Sequence, residues 1–198
     1  MRHRSLALGS LLWIAFHCPA AALPVNIVDQ GSTTHDALTN RDWLDLTETS
    51  GLSLPEVTTQ FLSAGWQIAS QADVDAFAGN AGVANGFSSP PDANLLALQG
   101  LLGVTSLSED PVVSYGWTSD LNALDPSFRL VVFLRHDIAD DSTQYSAFLS
   151  SDPVNSGDLI IGWWLYQSHA VPEPSSIALL LGGGAMLLAL RRRITRAH

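Results

Sequence analysis

The chain has 198 residues, with 19 acidic side chains against nine arginines, no lysine and a single cysteine. The imbalance sharpens between residues 23 and 170, where 18 carboxylates face only Arg41, Arg129 and Arg135, a formal charge of −15. Such a surface repels nucleic acid and anionic lipid headgroups, so neither is expected as a partner, and without lysine no Gly-Lys-Ser/Thr phosphate loop can exist.

Residues 1–22 read as a secretory signal peptide. Arg2 and Arg4 form the positive start, Leu6 to Phe16 the apolar stretch, and Ala20-Ala21-Ala22 a small-x-small cleavage site with Ala20 and Ala22 as its small residues. An uncleaved anchor is the competing reading, but the apolar stretch is short for one. Cys18 lies inside this segment behind Phe16 and His17, which do not form a lipoprotein box. Cleavage leaves no cysteine, which excludes a disulfide scaffold, a thiolate metal site and a cysteine nucleophile.

Residues 23–170 make one exported acidic domain, long enough to bury a core. Val25 to Val28 is a short strand. Trp43 to Thr49 starts with period-two alternation and is read as a second strand, broken at Gly51. Ser53 and Glu56 fit a capping box that opens a helix to about Leu62, with Leu54, Val57 and Phe61 on one face. Gly65 ends it, and Trp66 to Ala69 is extended. Ser70 to Asp73 opens a second helix with Val74 and Phe77 inward. Gly79 to Pro91 reads as an exposed loop, and Asp92 caps a third helix through Leu102. Strands follow at Val112 to Trp117, Phe128 to Leu134, Gln144 to Leu149 and Leu159 to Tyr166. Helices in the first half and antiparallel strands in the second predict an α+β domain.

Several of these segments resemble a known module. Val28, Asp29, Gly31, Trp43 to Thr47, Gly51 to Ser53, Val57, Gly65 to Ser70 and Val74 look like a domain common in proteins with PEP-CTERM tails, and more distantly like Lcl-type C-type-lectin-like domains. Ser114 to Thr118 and Gly162 to Leu165 would supply the later strands of that fold. The resemblance implies a lectin-like fold. It does not carry over a sugar site, since the Glu-Pro-Asn triplet and the cysteines of animal lectins are absent.

No catalytic constellation is found. There is no His-Glu-x-x-His, and Gly51 to Pro55 fails the nucleophile-elbow pattern at its last position. His35, His136 and His169 are scattered, and His35-Asp36 and His136-Asp137 read as surface pairs. The domain is therefore expected not to be an enzyme, with a secreted glycosidase-like hydrolase as the alternative, because paired carboxylates abound. No cofactor is expected. The most metal-like stretch holds Asp137, Asp140 and Asp141, a calcium candidate whose bland reading is a solvated hairpin turn. Among the five tryptophans of residues 23–170, Trp163 and Trp164 are the pair singled out as a ligand surface. Neighbours on a strand point to opposite faces, so one of the two is expected to be exposed or at an interface.

The C-terminal segment, residues 171–198, carries the clearest signal. Val171-Pro172-Glu173-Pro174 halts preceding structure, because each proline lacks an N–H and fixes φ. The 20 residues Val171 to Leu190 reach about 30 Å as a helix at ~1.5 Å each, enough to span a bilayer core, with the transmembrane helix placed at about 175–190. Its strictly apolar part, Ile177 to Leu190, is short and would otherwise suit a core helix. The basic tail, residues 191–198, follows, and Arg191, Arg192 and Arg193 stop transfer by the positive-inside bias. The combination resembles the PEP-CTERM sorting signal of Gram-negative bacteria. The resemblance implies export by the secretion machinery, transient anchoring in the inner membrane, and processing by an exosortase. The destination is then the cell envelope or an extracellular polysaccharide matrix, where the domain would be a non-enzymatic structural or glycan- or protein-binding module.

Overall fold

The computed structural model describes residues 23–106, 108–126, 128–151 and 161–169. The expected signal peptide with Ala20 and Ala22, and the tail with its motif, its expected membrane helix and its arginines, lie outside the described residues. No described helix is long and apolar enough to cross a membrane.

The domain begins with a meander of three short strands, β1 (Ile27–Asp29), β2 (Thr33–Asp36) and β3 (Arg41–Leu44). Gly31 at φ 97° closes the first turn, where its N–H donates to the Asp29 carboxylate at 2.8 Å. The second turn is built around Asp36. This fully buried carboxylate accepts from the Leu38 N–H, the Thr39 hydroxyl and the Asn80 amide at 3.0, 2.7 and 2.8 Å. The expectation of a strand from Trp43 to Thr49 is corrected: Trp43 lies near the end of β3, and Leu46–Thr49 form a 3-10 turn. Leu46 and Thr49, three residues apart, both turn inward, which suits the three-residue period of that helix better than alternation.

Helix α1 (Leu54–Gln60) starts at a capping box, with Glu56 accepting from the Ser53 N–H and hydroxyl at 2.8 and 2.6 Å. Its chain ends at Gly65, φ 95°, before the two-residue strand β4 (Gln67–Ile68). Helix α2 (Gln71–Asn80) has a second box between Ser70 and Asp73 and buries Val74 and Phe77 as predicted. Helix α3 (Ala93–Leu102) is capped by Asp92, which accepts from the Asn94 and Leu95 N–H groups. The segment expected to be only an exposed loop, 79–91, instead contributes the last residues of α2 and strand β5 (Gly86–Ser88).

Three ten-residue strands follow as a meander: β6 (Val112–Leu121), β7 (Phe128–Asp137) and β8 (Ser142–Ser151). Strands β9 (Ile161–Trp163) and β10 (Leu165–Ser168) end the described domain. Two five-stranded sheets result, ordered β1-β2-β3-β10-β4 and β5-β8-β7-β6-β9. All pairings are antiparallel except β6 with β9. The α+β class therefore holds, with three short helices and largely antiparallel sheets. The division into a helical first half and a stranded second half does not, because the first sheet takes four of its strands from the first half.

Other elements pack on both faces of the second sheet, covering one of them only in part. One face sends Val132, Leu134 and Tyr145 into a core with Phe77, Ala78, Leu95, Leu98 and Leu102 from α2 and α3. The other sends Trp117 and Val131 against Val57, Leu44 and Leu165. The chain passes between sheets at Trp164, whose N–H donates to Trp117 and whose carbonyl accepts from Ala69. This crossing leaves no room for side chains beside it. A Cβ on Gly116 would lie 2.5 Å from the Trp164 ring, and one on Gly162 2.3 Å from the Leu46 carbonyl.

Candidate functional site

The register of the first sheet places polar side chains together on one of its faces. Thr34, Asp36 and Trp43 turn into the core, so His35 and Asp42, one residue away from each, turn outward and sit directly opposite one another. On the other side of β3, Gln167 faces Asp42 and Ser168 faces Arg41, which brings His169 beside Asn40. Asn40, at φ 53°, and His169 exchange two hydrogen bonds. The His169 N–H donates to the Asn40 carbonyl and the Asn40 amide to the His169 carbonyl, both at 3.1 Å.

Three side chains converge there. Asp42 Oδ1 lies 2.6 Å from His35 Nδ1, and Asp42 Oδ2 lies 2.5 Å from His169 Nε2. The two imidazole rings are 6.0 Å apart. Asp42 is largely covered, His35 is half-buried, and half of the His169 side chain faces solvent. Burial pushes the Asp42 carboxyl up, but the hydrogen bonds and charge of His35 and His169 outweigh it and hold the group below the usual carboxylate range. Among the described residues this is the one group of His, Asp or Glu whose donor atoms, one from each residue, all lie within 4.8 Å of one another. Two imidazoles and a carboxylate are a donor set for a borderline metal ion; without one they form a hydrogen-bonded clasp between the N-terminal hairpin and the end of β10.

A cationic strut stands beside it. Arg41 donates to Asp73 at 2.7 Å and stacks over the Tyr166 ring at 4.0 Å, joining β3, β10 and the first turn of α2. Burial raises the Asp73 carboxyl, yet the Ser70 and Arg41 hydrogen bonds prevail and set it below its ordinary value.

The sites expected from the sequence fare differently. Asp137, Asp140 and Asp141 occupy the β7–β8 turn. The Asp137 carboxylate accepts from the Asp140 N–H at 3.2 Å and from Arg135 at 2.7 Å, which together hold its carboxyl below the usual range. Asp141 closes the turn at φ 47°. The three carboxylates do not form a converging group, and the stretch has the hydrogen bonding of a hairpin turn.

The expectation that Trp163 or Trp164 is exposed is corrected, since both are buried, at 0 and 1%. They do point to opposite faces. Trp163 enters one core and donates to the Leu52 carbonyl at 2.9 Å, and Trp164 enters the other and donates to the Val132 carbonyl at 3.2 Å. Both faces of the chain are covered, so neither indole offers a ring face to a ligand. Other aromatic side chains reach the surface, among them Phe87 on β5, 69% exposed, and a group on β6, β7 and β8. Tyr115, Phe133 and Phe148 form a cluster with ring centroids 5.8–6.3 Å apart, and Phe148 is 41% exposed.

His35 and His169 read as scattered in the sequence, and the fold brings them together. The available signal was the pairing of Asp36 with Arg41 across a four-residue turn, which forces His35 opposite Asp42. Nothing local points to His169, which is 127 positions from its partner.

The PEP-CTERM protein-sorting motif matches residues 170–193, starting at the residue after His169. Val171 to Pro174 and Arg191 to Arg193 fall within it. No curated protein and no solved structure matches the chain.

Proposed function

We propose that this chain, an exported protein bearing the PEP-CTERM signal for exosortase-dependent sorting, delivers a non-enzymatic structural or binding module to the cell envelope or its polysaccharide matrix. The observation that carries this reading is the junction between the domain and its tail. The last described strand, β10, lies inside the first sheet between β3 and β4, and His169 is hydrogen-bonded to Asn40 immediately before the matched motif. A tail that leaves from an interior strand is coupled to the folded core without a long spacer, which suits a module meant to be held at a surface. The −15 charge of residues 23–170 keeps it soluble outside the cell and away from anionic headgroups.

The surface best suited to a sugar or protein ligand is the one bearing Tyr115, Phe133 and Phe148, since aromatic faces stack on the apolar faces of sugar rings. The test has two arms. Replacing Arg191 to Arg193 with neutral residues should weaken membrane retention, because the positive-inside anchor is lost. Unchanged surface display from a chain ending at Ala170 would refute the sorting role. The exported protein applied to a glycan array should bind through a surface that Phe133→Ala with Phe148→Ala removes. Turnover on a hydrolase substrate panel would replace the binding reading with an enzymatic one.

A further inference from the structure

We propose that His35, Asp42 and His169 bind one divalent transition-metal ion of the zinc class. The argument starts from the donors. Two imidazole nitrogens and one carboxylate are the set that Zn²⁺ and its neighbours take, whereas Ca²⁺ and Mg²⁺ require mostly oxygen. The strong overall negative charge raises the local cation concentration, and the nearest strong cation, Arg41, is engaged by Asp73 and Tyr166.

Geometry carries the argument further. The three ligands come from three hydrogen-bonded neighbours, β2, β3 and the end of β10, so their backbones are fixed relative to one another. His35 and Asp42 form a direct cross-strand pair, and the reciprocal Asn40–His169 bonds locate the third ligand. Tetrahedral zinc with bonds of ~2.0–2.1 Å spaces its ligand atoms by about 3.3 Å. The donor atoms lie within 4.8 Å of one another, with the bonded pairs at 2.6 and 2.5 Å, so rotamer adjustments of about an ångström make room for an ion. The half-exposed His169 leaves one side open, so that water completes the coordination. In the metal-free form Asp42 accepts from both rings. An entering ion takes the lone pairs of His35 Nδ1 and His169 Nε2, and each of those ring protons moves to the other nitrogen or to solvent. Bound metal would then clamp the N-terminal hairpin to the residue that precedes the sorting motif. This assignment stands on the domain alone and does not depend on the sorting role.

The test uses the full chain in detergent, with Co²⁺ as spectroscopic probe and Zn²⁺ as competitor. One equivalent of Co²⁺ should give visible absorption of the intensity typical of four or five ligands, bleached by Zn²⁺. His169→Ala changes a half-exposed side chain and should leave the fold intact by circular dichroism. It should weaken Co²⁺ affinity by more than the ~10–100-fold that loss of an outer-shell partner costs. Asp42→Asn should do the same, and His136→Ala and His198→Ala should not. Zn²⁺ should raise the melting temperature of the wild type, but not of His169→Ala, above what Mg²⁺ does at equal ionic strength. A hexa-aqua-like Co²⁺ spectrum, or affinity unchanged in His169→Ala, would mean an adventitious ion on an acidic surface only and would overturn the proposal.

Discussion

Asp45 offers the sharpest check on the energetics of the fold. It precedes the 3-10 turn, is only 8% exposed, and its Oδ1 has no hydrogen-bond partner. Burial, and then the charges of Asp29 and Glu48, push its carboxyl from 3.8 up to about 6. The folded state therefore holds the proton more tightly than the unfolded chain does. Its contribution to stability is complete below about pH 3.8 and is lost as pH rises through about 6. At ~1.4 kcal/mol per tenfold change in proton affinity, the ionised form costs the fold about 3 kcal/mol at pH 7.5. Asp45→Asn removes that charge. The amide still leaves a buried polar atom short of a partner, but this offset is the same at every pH.

The quantity to follow is the difference in melting temperature between variant and wild type, measured from pH 3.5 to pH 8. Other titrating groups cancel in that difference. At roughly 3 °C per kcal/mol for a domain of this size, the variant should gain on the order of 5–10 °C between the two ends. The rise should be centred between pH 4 and 6. A flat difference across that range would show that Asp45 is solvated or partnered, and the reasoning from its burial would be wrong. A gain growing toward low pH would give the opposite sign and refute it equally.

Other predictions test packing, turn chemistry and the carboxylate turn. Gly116→Ala forces a Cβ to within 2.5 Å of the buried Trp164 ring and 2.8 Å of Leu46, and should cost at least ~2 kcal/mol by denaturant titration. Gly100→Ala, in α3 with nothing within 4 Å of where a Cβ would lie, should be neutral or stabilise by up to ~1 kcal/mol; equal losses in the two would discount the steric account. Asp36→Ala orphans the Leu38 N–H, the Thr39 hydroxyl and the Asn80 amide around a fully buried site, and should lower stability by about 2–4 kcal/mol, read from the same titrations. Melts in millimolar calcium and in sodium of equal ionic strength should coincide, because the Asp137 carboxylate is already engaged by Arg135 and by the Asp140 N–H. A calcium-specific rise abolished by Asp140→Asn and Asp141→Asn would instead establish a site, by mass action worth about 2.7 kcal/mol at one hundred times its dissociation constant.

What could be read from the sequence divides by the range of the interaction that decides it. The starts of all three helices are legible because Ser53 with Glu56, Ser70 with Asp73, and Asp92 each satisfy backbone N–H groups within three residues of themselves. The long strands β6, β7 and β8 are legible in their central parts, 112–117, 128–134 and 144–149, where aromatic and aliphatic residues are concentrated, and their polar ends are not. Strand β2 is not, since Thr33-Thr34-His35-Asp36 carries no apolar alternation. Its inward positions are Thr34 and Asp36, and Asp36 fits the core only because the turn and Asn80 supply hydrogen bonds to it. Trp163 and Trp164 show the same limit from the other side. Period two places their rings on opposite faces correctly, but whether a face is open depends on what covers it, and Leu52 and Val132 belong to segments far away in the chain. The converging histidines and Asp42 need both kinds of information. The hairpin fixes His35 against Asp42 locally, whereas His169 arrives only because β10 inserts beside β3. A metal-ligand search by sequence spacing finds clusters such as Asp137 to Asp141, where the chain itself supplies the proximity. It passes over a site assembled by sheet register, where ligands are outward residues on neighbouring strands. In an acidic β-rich domain the more productive signal is therefore an isolated histidine at an outward position, read together with the strand that pairs beside it.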